Sequence, residues 1–204
     1  MLVGLIVVFV VGVILLDGWL QVAWAVVLGI LLTALFVGWL IGGDVTSLTW
    51  VRGAVGEQQT EEVLLELPDG WRVFHDVPDG WGNWDHIAIG PPGVFAIDTK
   101  SYSSPAVVEN DTLRSGRIRT PGSAFRGSAV RLKERLERDA GIATWVQAVV
   151  AIWGEFPERV VEEKLVVYLE AGRLCEWLEA SVGRLDSGVR GQLAAALERG
   201  QNAR

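Results

Sequence analysis

The first 43 residues carry a single charged side chain, Asp17, and no other feature restricts the fold of this chain as strongly. Residues 2–16 form an uninterrupted apolar run. Residues 19–41 form a second, broken only by Gln21 and Thr33. A spanning helix needs about 20 apolar residues at 1.5 Å each, which the second run supplies and the first approaches only if it stands nearly upright. Asp17-Gly18 between them suits a tight turn, so two transmembrane helices forming a membrane hairpin are expected, at about 2–16 and 19–41. Trp19 and Trp39 would lie roughly 30 Å apart, at the two interfaces of a lipid bilayer. A cleaved signal peptide fits less well, because no basic residue precedes the first run and a second follows at once. The first basic residue after the second run is Arg52, so the positive-inside rule places the carboxyl domain in the cytoplasm. The expected location is a multi-pass protein of the cell membrane, with the helices also available for homo-oligomer formation.

Beyond this anchor (residues 1–43) the chain has ordinary globular composition. The mean hydropathy of +0.31 is high for a soluble domain because the apolar excess sits at one end. Residues 44–204 are long enough to bury one core of their own. The lone Cys175 excludes an intramolecular disulfide. A net charge of −7 does not favour nucleic-acid binding, which would have to rest on a local basic patch.

Two alternating apolar runs, 84–89 and 94–99, flank Gly90-Pro91-Pro92-Gly93 and read as an antiparallel hairpin with those four residues as its loop. Ile89 then pairs with Val94, and Asp85 falls opposite Asp98. Period-two alternation puts Asp85, Ile87 and Ile89 on one face with Val94, Ala96, Asp98 and Lys100. Opposed side chains on such a face are about 5 Å apart, where two like charges are destabilising without compensation. A cation between the acids would compensate them, and Lys100 is next on the same face. Carboxylate oxygens are hard ligands, so the expected ion is Mg²⁺ or Mn²⁺. The simpler reading is a structural salt bridge from the acids to Lys100.

Around this hairpin, residues 46–67 read as a helix bearing Glu57, ended by Pro68-Asp69-Gly70, and 71–77 as an edge strand containing His75. His75 reads as structural, and His86 alternates away from Asp85. Strands are expected at 106–109 and 112–119, then a helix at 123–139, a buried strand at 145–153 and another at 164–169. Helices at 172–180 and 187–199 follow, with a frayed tail. Between Thr112 and Arg138 there is a surplus of six positive charges. Arg114, Arg117, Arg119, Arg126, Arg131 and Lys133 are therefore candidates for a phosphate-backbone footprint, against the alternative of a solvated helix face.

Gly53-x-x-Gly56-Glu57, Asp85-His86, Gly93-Val94-Phe95 and Asp98-Thr99-Lys100, in that order, resemble the nuclease-related (NERD) branch of the PD-(D/E)XK nuclease superfamily. The similarity runs from about Arg52 to Gly154. The resemblance implies an α/β fold, a PD-(D/E)XK-like mixed central sheet flanked by helices, here preceded by two transmembrane helices. It implies a domain core at about 52–154, with a C-terminal strand and helices at 160–200. It also implies metal ligation by Asp85, Asp98 and the backbone carbonyl of Thr99, with Glu57 near a second or water-linked ion. Lys100 would position water or offset phosphoryl charge. The expected function is phosphodiester hydrolysis in DNA by a membrane-anchored nuclease. The alternative is a catalytically inactive module of this fold that binds nucleic acid or a protein partner at the membrane.

Overall fold

In a computed structural model, residues 18–80 and 82–202 are described. The first apolar run, residues 2–16, lies outside them. The chain divides into two compact units, Met1–Val51 and Arg52–Arg204. One helix, α1 (Trp19–Leu64), includes both the second apolar run and the segment bearing Glu57, where the sequence suggested two separate elements. Gly42-Gly43 does not break it: a glycine in a helix costs roughly 1 kcal/mol relative to alanine, whereas only a proline would remove a bond outright.

Among the described residues, Trp19–Gly38 is the one stretch long and apolar enough to cross a membrane. Of the two expected spans, the second is represented by this one candidate helix, and the first lies outside the described residues. Most of the helix's large apolar side chains, among them Trp19, Ile30, Leu31 and Phe36, are exposed, whereas Trp24 is half-buried and Leu28 buried. Its one internal hydroxyl, on Thr33, donates to the Gly29 carbonyl at 2.8 Å and so needs no water.

The second unit is built on a six-stranded mixed sheet of order β1-β2-β3-β7-β9-β8. Its first three strands, β1 (Arg72–Pro78), β2 (Asn83–Gly90) and β3 (Gly93–Ser101), are antiparallel. β3 pairs in parallel with β7 (Val146–Trp153), β7 in parallel with β9 (Val166–Glu170), and β8 (Val160–Glu163) closes the far edge antiparallel to β9. A separate three-stranded sheet comprises β4 (Ala106–Glu109), β5 (Thr112–Ser115) and β6 (Ile118–Pro121). The expected strand 112–119 is two strands, because Gly116 takes φ +56° and turns the chain.

Both faces of the main sheet are covered, which is why β3 and β7 read as continuous apolar runs. Val94 and Ala96 of β3, with Val146, Ala148 and Val150 of β7, pack under α2 (Gly122–Ala140) through Phe125, Leu132 and Leu136. The helix α4 (Ser187–Asn202) adds Leu193 and Leu197 to that layer. The intervening residues Phe95, Ile97, Val149 and Ala151 meet Leu64 of α1 and Leu174 and Leu178 of α3 (Leu174–Ala180) on the other face.

The β2–β3 register is the expected one, with Ile89 opposite Val94. The loop is shorter than expected, since Gly90 and Gly93 also pair and only the two prolines turn. The segment leading into α4 straps this turn. Leu185 N–H donates to the Pro91 carbonyl at 2.8 Å, and a Cβ on Gly183 would lie 1.9 Å from the Pro92 carbonyl oxygen. Backbone cannot move aside as a side chain can. Gly183→Ala should therefore lower stability by about 1–3 kcal/mol, measurable as a shifted urea midpoint with unchanged slope.

Candidate functional site

Sequence-perfect alternation fails at one place in the sheet, and that place builds the site. Asp76 in β1 adopts φ +50°, a conformation that aspartate tolerates better than most residues. The β1–β2 ladder pairs His75 with His86 and Val77 with Trp84 but skips the row of Asp76 and Asp85. As a result Phe74 and Val77, three residues apart, both enter the core under α2, and so do Trp84 and Ile87. Trp84 is fixed there by donating its Nε1–H to the Ser128 carbonyl at 3.1 Å, with the Arg135 guanidinium over its ring.

On the other side of β2 the ladder to β3 ends at His86–Ile97. The Thr99 N–H is satisfied instead by the Asp85 carboxylate, with Oδ2 accepting at 2.7 Å. Asp85 and Asp98 line one small pocket with Asn83, Ala96, Phe125 and Ser128. Lys100 forms a salt bridge to Asp98, donates to the Thr99 carbonyl at 3.3 Å, and lies 5.9 Å from the centre of the Phe125 ring.

Burial pushes the Asp85 carboxyl up to about 7, helped by the charge of Asp98 and, more weakly, of Glu57. The Thr99 N–H and Lys100 pull the other way. For Lys100, burial is the largest influence and disfavours the ammonium. Asp98, Asp85 and Tyr102 outweigh it and hold the group above its ordinary value. Glu57 is exposed on α1 and reaches Asp85 electrostatically. The oxygens that could coordinate a cation are those of Asp85, Asp98 and the Thr99 carbonyl, the last two now bonded by Lys100. No cluster of three or more His, Cys, Asp or Glu side chains suited to a metal occurs among the described residues.

The basic candidates divide into two groups. Arg114 bonds Glu109 at 2.7 Å, Arg126 grips Asp111 with both arms at 2.6 and 2.8 Å, and Arg131 bonds Asp79 at 2.6 Å. Arg117, Arg119 and Lys133 are exposed and have no ion pair among the described residues. Arg119 lies opposite Arg114 in the β5–β6 register.

The family model of the nuclease-related domain (NERD) matches residues 52–153. The chain belongs to the nuclease-related domain family. The match begins at the first residue of the second unit and ends at the last residue of β7, so the NERD segment contains the acids, the lysine and the helix turn bearing Glu57. The mixed sheet with its acids on the central hairpin is consistent with the PD-(D/E)XK superfamily. Neither the curated proteins nor the solved structures contain a match.

Two contacts of the NERD segment were not foreseen from the sequence. The hydroxyl of Thr60, fully buried on α1, bonds Thr99 and Trp153. No sequence signal marks it, since its partners are 39 and 93 residues away. His75 and His86 face each other across β1 and β2, with their Nδ1 atoms 2.7 Å apart. Burial, then the charge of His75, lowers His86 to about 4 from its ordinary 6.5. A histidine that folds neutral favours the folded state above pH 6.5 and loses that contribution as pH falls towards 4, by about 3 kcal/mol over the interval. Melting temperature should therefore fall across that window, and His86→Gln should flatten the fall.

Proposed function

We propose that this protein is a membrane-anchored, metal-dependent nuclease that hydrolyses phosphodiester bonds in DNA. The reading is carried by one observation: where β2 parts from β3, Asp85, Asp98, the Thr99 carbonyl and Lys100 converge. Membership of the nuclease-related family supports it. The donor set is all oxygen and fits Mg²⁺ or Mn²⁺, which need only one or two carboxylates and keep several waters. Such an ion, when bound, supplies a Lewis acid for the phosphate and for an attacking water.

The chain's own residues do the rest. Asp85 and Asp98 supply the carboxylates, and the N–H of Thr99 orients the first of them. Lys100 offsets charge growing on the phosphoryl oxygens and orients the nucleophile. Glu57 adds negative charge from the helix side, close enough to act on a water-linked ion rather than to join the first two carboxylates. Arg117, Arg119 and Lys133 meet the nucleic-acid backbone, a contact whose strength falls with salt. Trp19–Gly38 lies in the lipid bilayer, and the second unit is cytoplasmic.

A second reading, a module of this fold that binds without cutting, is favoured by one specific observation. Lys100 is held by Asp98 and the Thr99 carbonyl, so the site is charge-compensated by its own lysine. Incubating the full chain in detergent micelles with linear and circular DNA, in Mg²⁺, Mn²⁺ or EDTA, separates the two. Metal-dependent cleavage supports the nuclease, whereas binding without cleavage under every condition supports the module.

A further inference from the structure

We propose that Thr60 is a positioning residue for the metal site, acting through Thr99 and Trp153 to hold Glu57 and the Asp98–Lys100 segment in register. This rests on the nuclease reading. A threonine in a helix commonly bonds the carbonyl four residues back, and Thr60 does so, donating to Gly56 at 2.9 Å. That local bond accounts for only its proton. Both of its lone pairs are also used, by the Thr99 hydroxyl at 3.1 Å and by the Trp153 indole N–H at 2.8 Å. One buried hydroxyl, 0% exposed, thus joins α1, β3 and β7.

The consequences fall on the site. Gly56, the acceptor of the Thr60 proton, sits close against the sheet: a Cβ there would lie 3.0 Å from the Ser101 Cβ and 3.4 Å from the Trp153 ring. Glu57 is the next residue. Thr99 faces both ways, its hydroxyl on the Thr60 network and its peptide groups on the acids, with the N–H bonding Asp85 and the carbonyl accepting from Lys100. The residue between the motif's acid and its lysine is therefore held by a helix on one side and orients ligands on the other. Losing the Thr60 hydroxyl leaves the buried Thr99 hydroxyl and the half-buried Trp153 indole N–H without this acceptor, which loosens the seating of α1 and of Glu57 on the sheet.

The test compares the full-length protein in detergent micelles with Thr60→Val, Thr60→Ser and Trp153→Phe. It reads Mn²⁺ affinity by loss of the free-ion electron paramagnetic resonance signal, separates kcat from KM for DNA cleavage, and records thermal unfolding. Groups that orient metal ligands typically change affinity or activity by about 10–100-fold. Thr60→Val should weaken Mn²⁺ binding and lower kcat by about tenfold or more with KM for DNA unchanged, Trp153→Phe should shift both in the same direction, and Thr60→Ser should stay within about twofold of the parent. A parent that binds Mn²⁺ and cleaves, with Thr60→Val and Trp153→Phe equal to it, overturns the positioning role alone. Equal impairment of the Val and Ser variants also overturns it, since packing would then be the cause. Should Thr60→Val fail to fold, the Trp153→Phe comparison decides. A parent that neither binds Mn²⁺ nor cleaves overturns the nuclease reading, and the positioning role with it.

Discussion

Asp98→Ala and Lys100→Ala should each lower metal-dependent DNA cleavage by at least roughly 100-fold, yet only Asp98→Ala should weaken metal binding. Asp98→Ala removes a carboxylate from the donor set, so Mn²⁺ affinity should fall together with the rate. Lys100→Ala removes the cation that bonds Asp98 and the Thr99 carbonyl, leaving those oxygens free. Its Mn²⁺ affinity should hold or rise while cleavage is lost. Without the ammonium, Asp85 and Asp98 also lack compensation once Asp85 ionises, so above about pH 7 the metal-free variant should melt lower than the parent. Added Mn²⁺ should then raise its melting temperature by more than it raises that of the parent. A purely structural salt bridge predicts something else: both variants melt lower, neither responds to Mn²⁺, and DNA binding is unchanged.

The second large effect concerns the anchor. Trp19–Gly38 contains eleven Leu, Ile, Val or Phe residues, each contributing about 0.3–0.6 kcal/mol to insertion, so the helix favours the bilayer by about 3–7 kcal/mol before its aromatic ends are counted. The full chain should therefore remain in the membrane pellet through an alkaline carbonate wash. Deletion of residues 2–41 should move it to the soluble fraction. Full-length protein released by carbonate would contradict the membrane-anchored half of the proposed function, but would leave the cleavage site untouched.

Much of the architecture was legible because it follows from local rules. The two prolines stop a ladder that both of them are unable to join, and this alone set Ile89 opposite Val94. β7 was visible as an apolar run because both faces of the sheet are covered. Two things were hidden. The kink at Asp76 and Asp85 depends on a backbone conformation in β1 that no periodicity reveals, and it sends Trp84 to the same side as Ile87. The basic surplus looked like an open footprint because the acids that partner Arg114, Arg126 and Arg131 lie outside the counted segment. These are Glu109, Asp111 and Asp79, brought in by β4, the turn after it and the turn after β1. Likewise the Thr60 network joins residues too far apart in sequence for any motif to unite them.

The most direct measurement is anomalous X-ray scattering at the manganese edge from crystals of the full chain grown with Mn²⁺. A peak within about 2.3 Å of both the Asp85 and Asp98 carboxylates and of the Thr99 carbonyl, with the Lys100 ammonium displaced from that carbonyl, is the predicted result. Lys100 still bound to Asp98 and Thr99, with no manganese between the two acids at saturating Mn²⁺, would contradict the account.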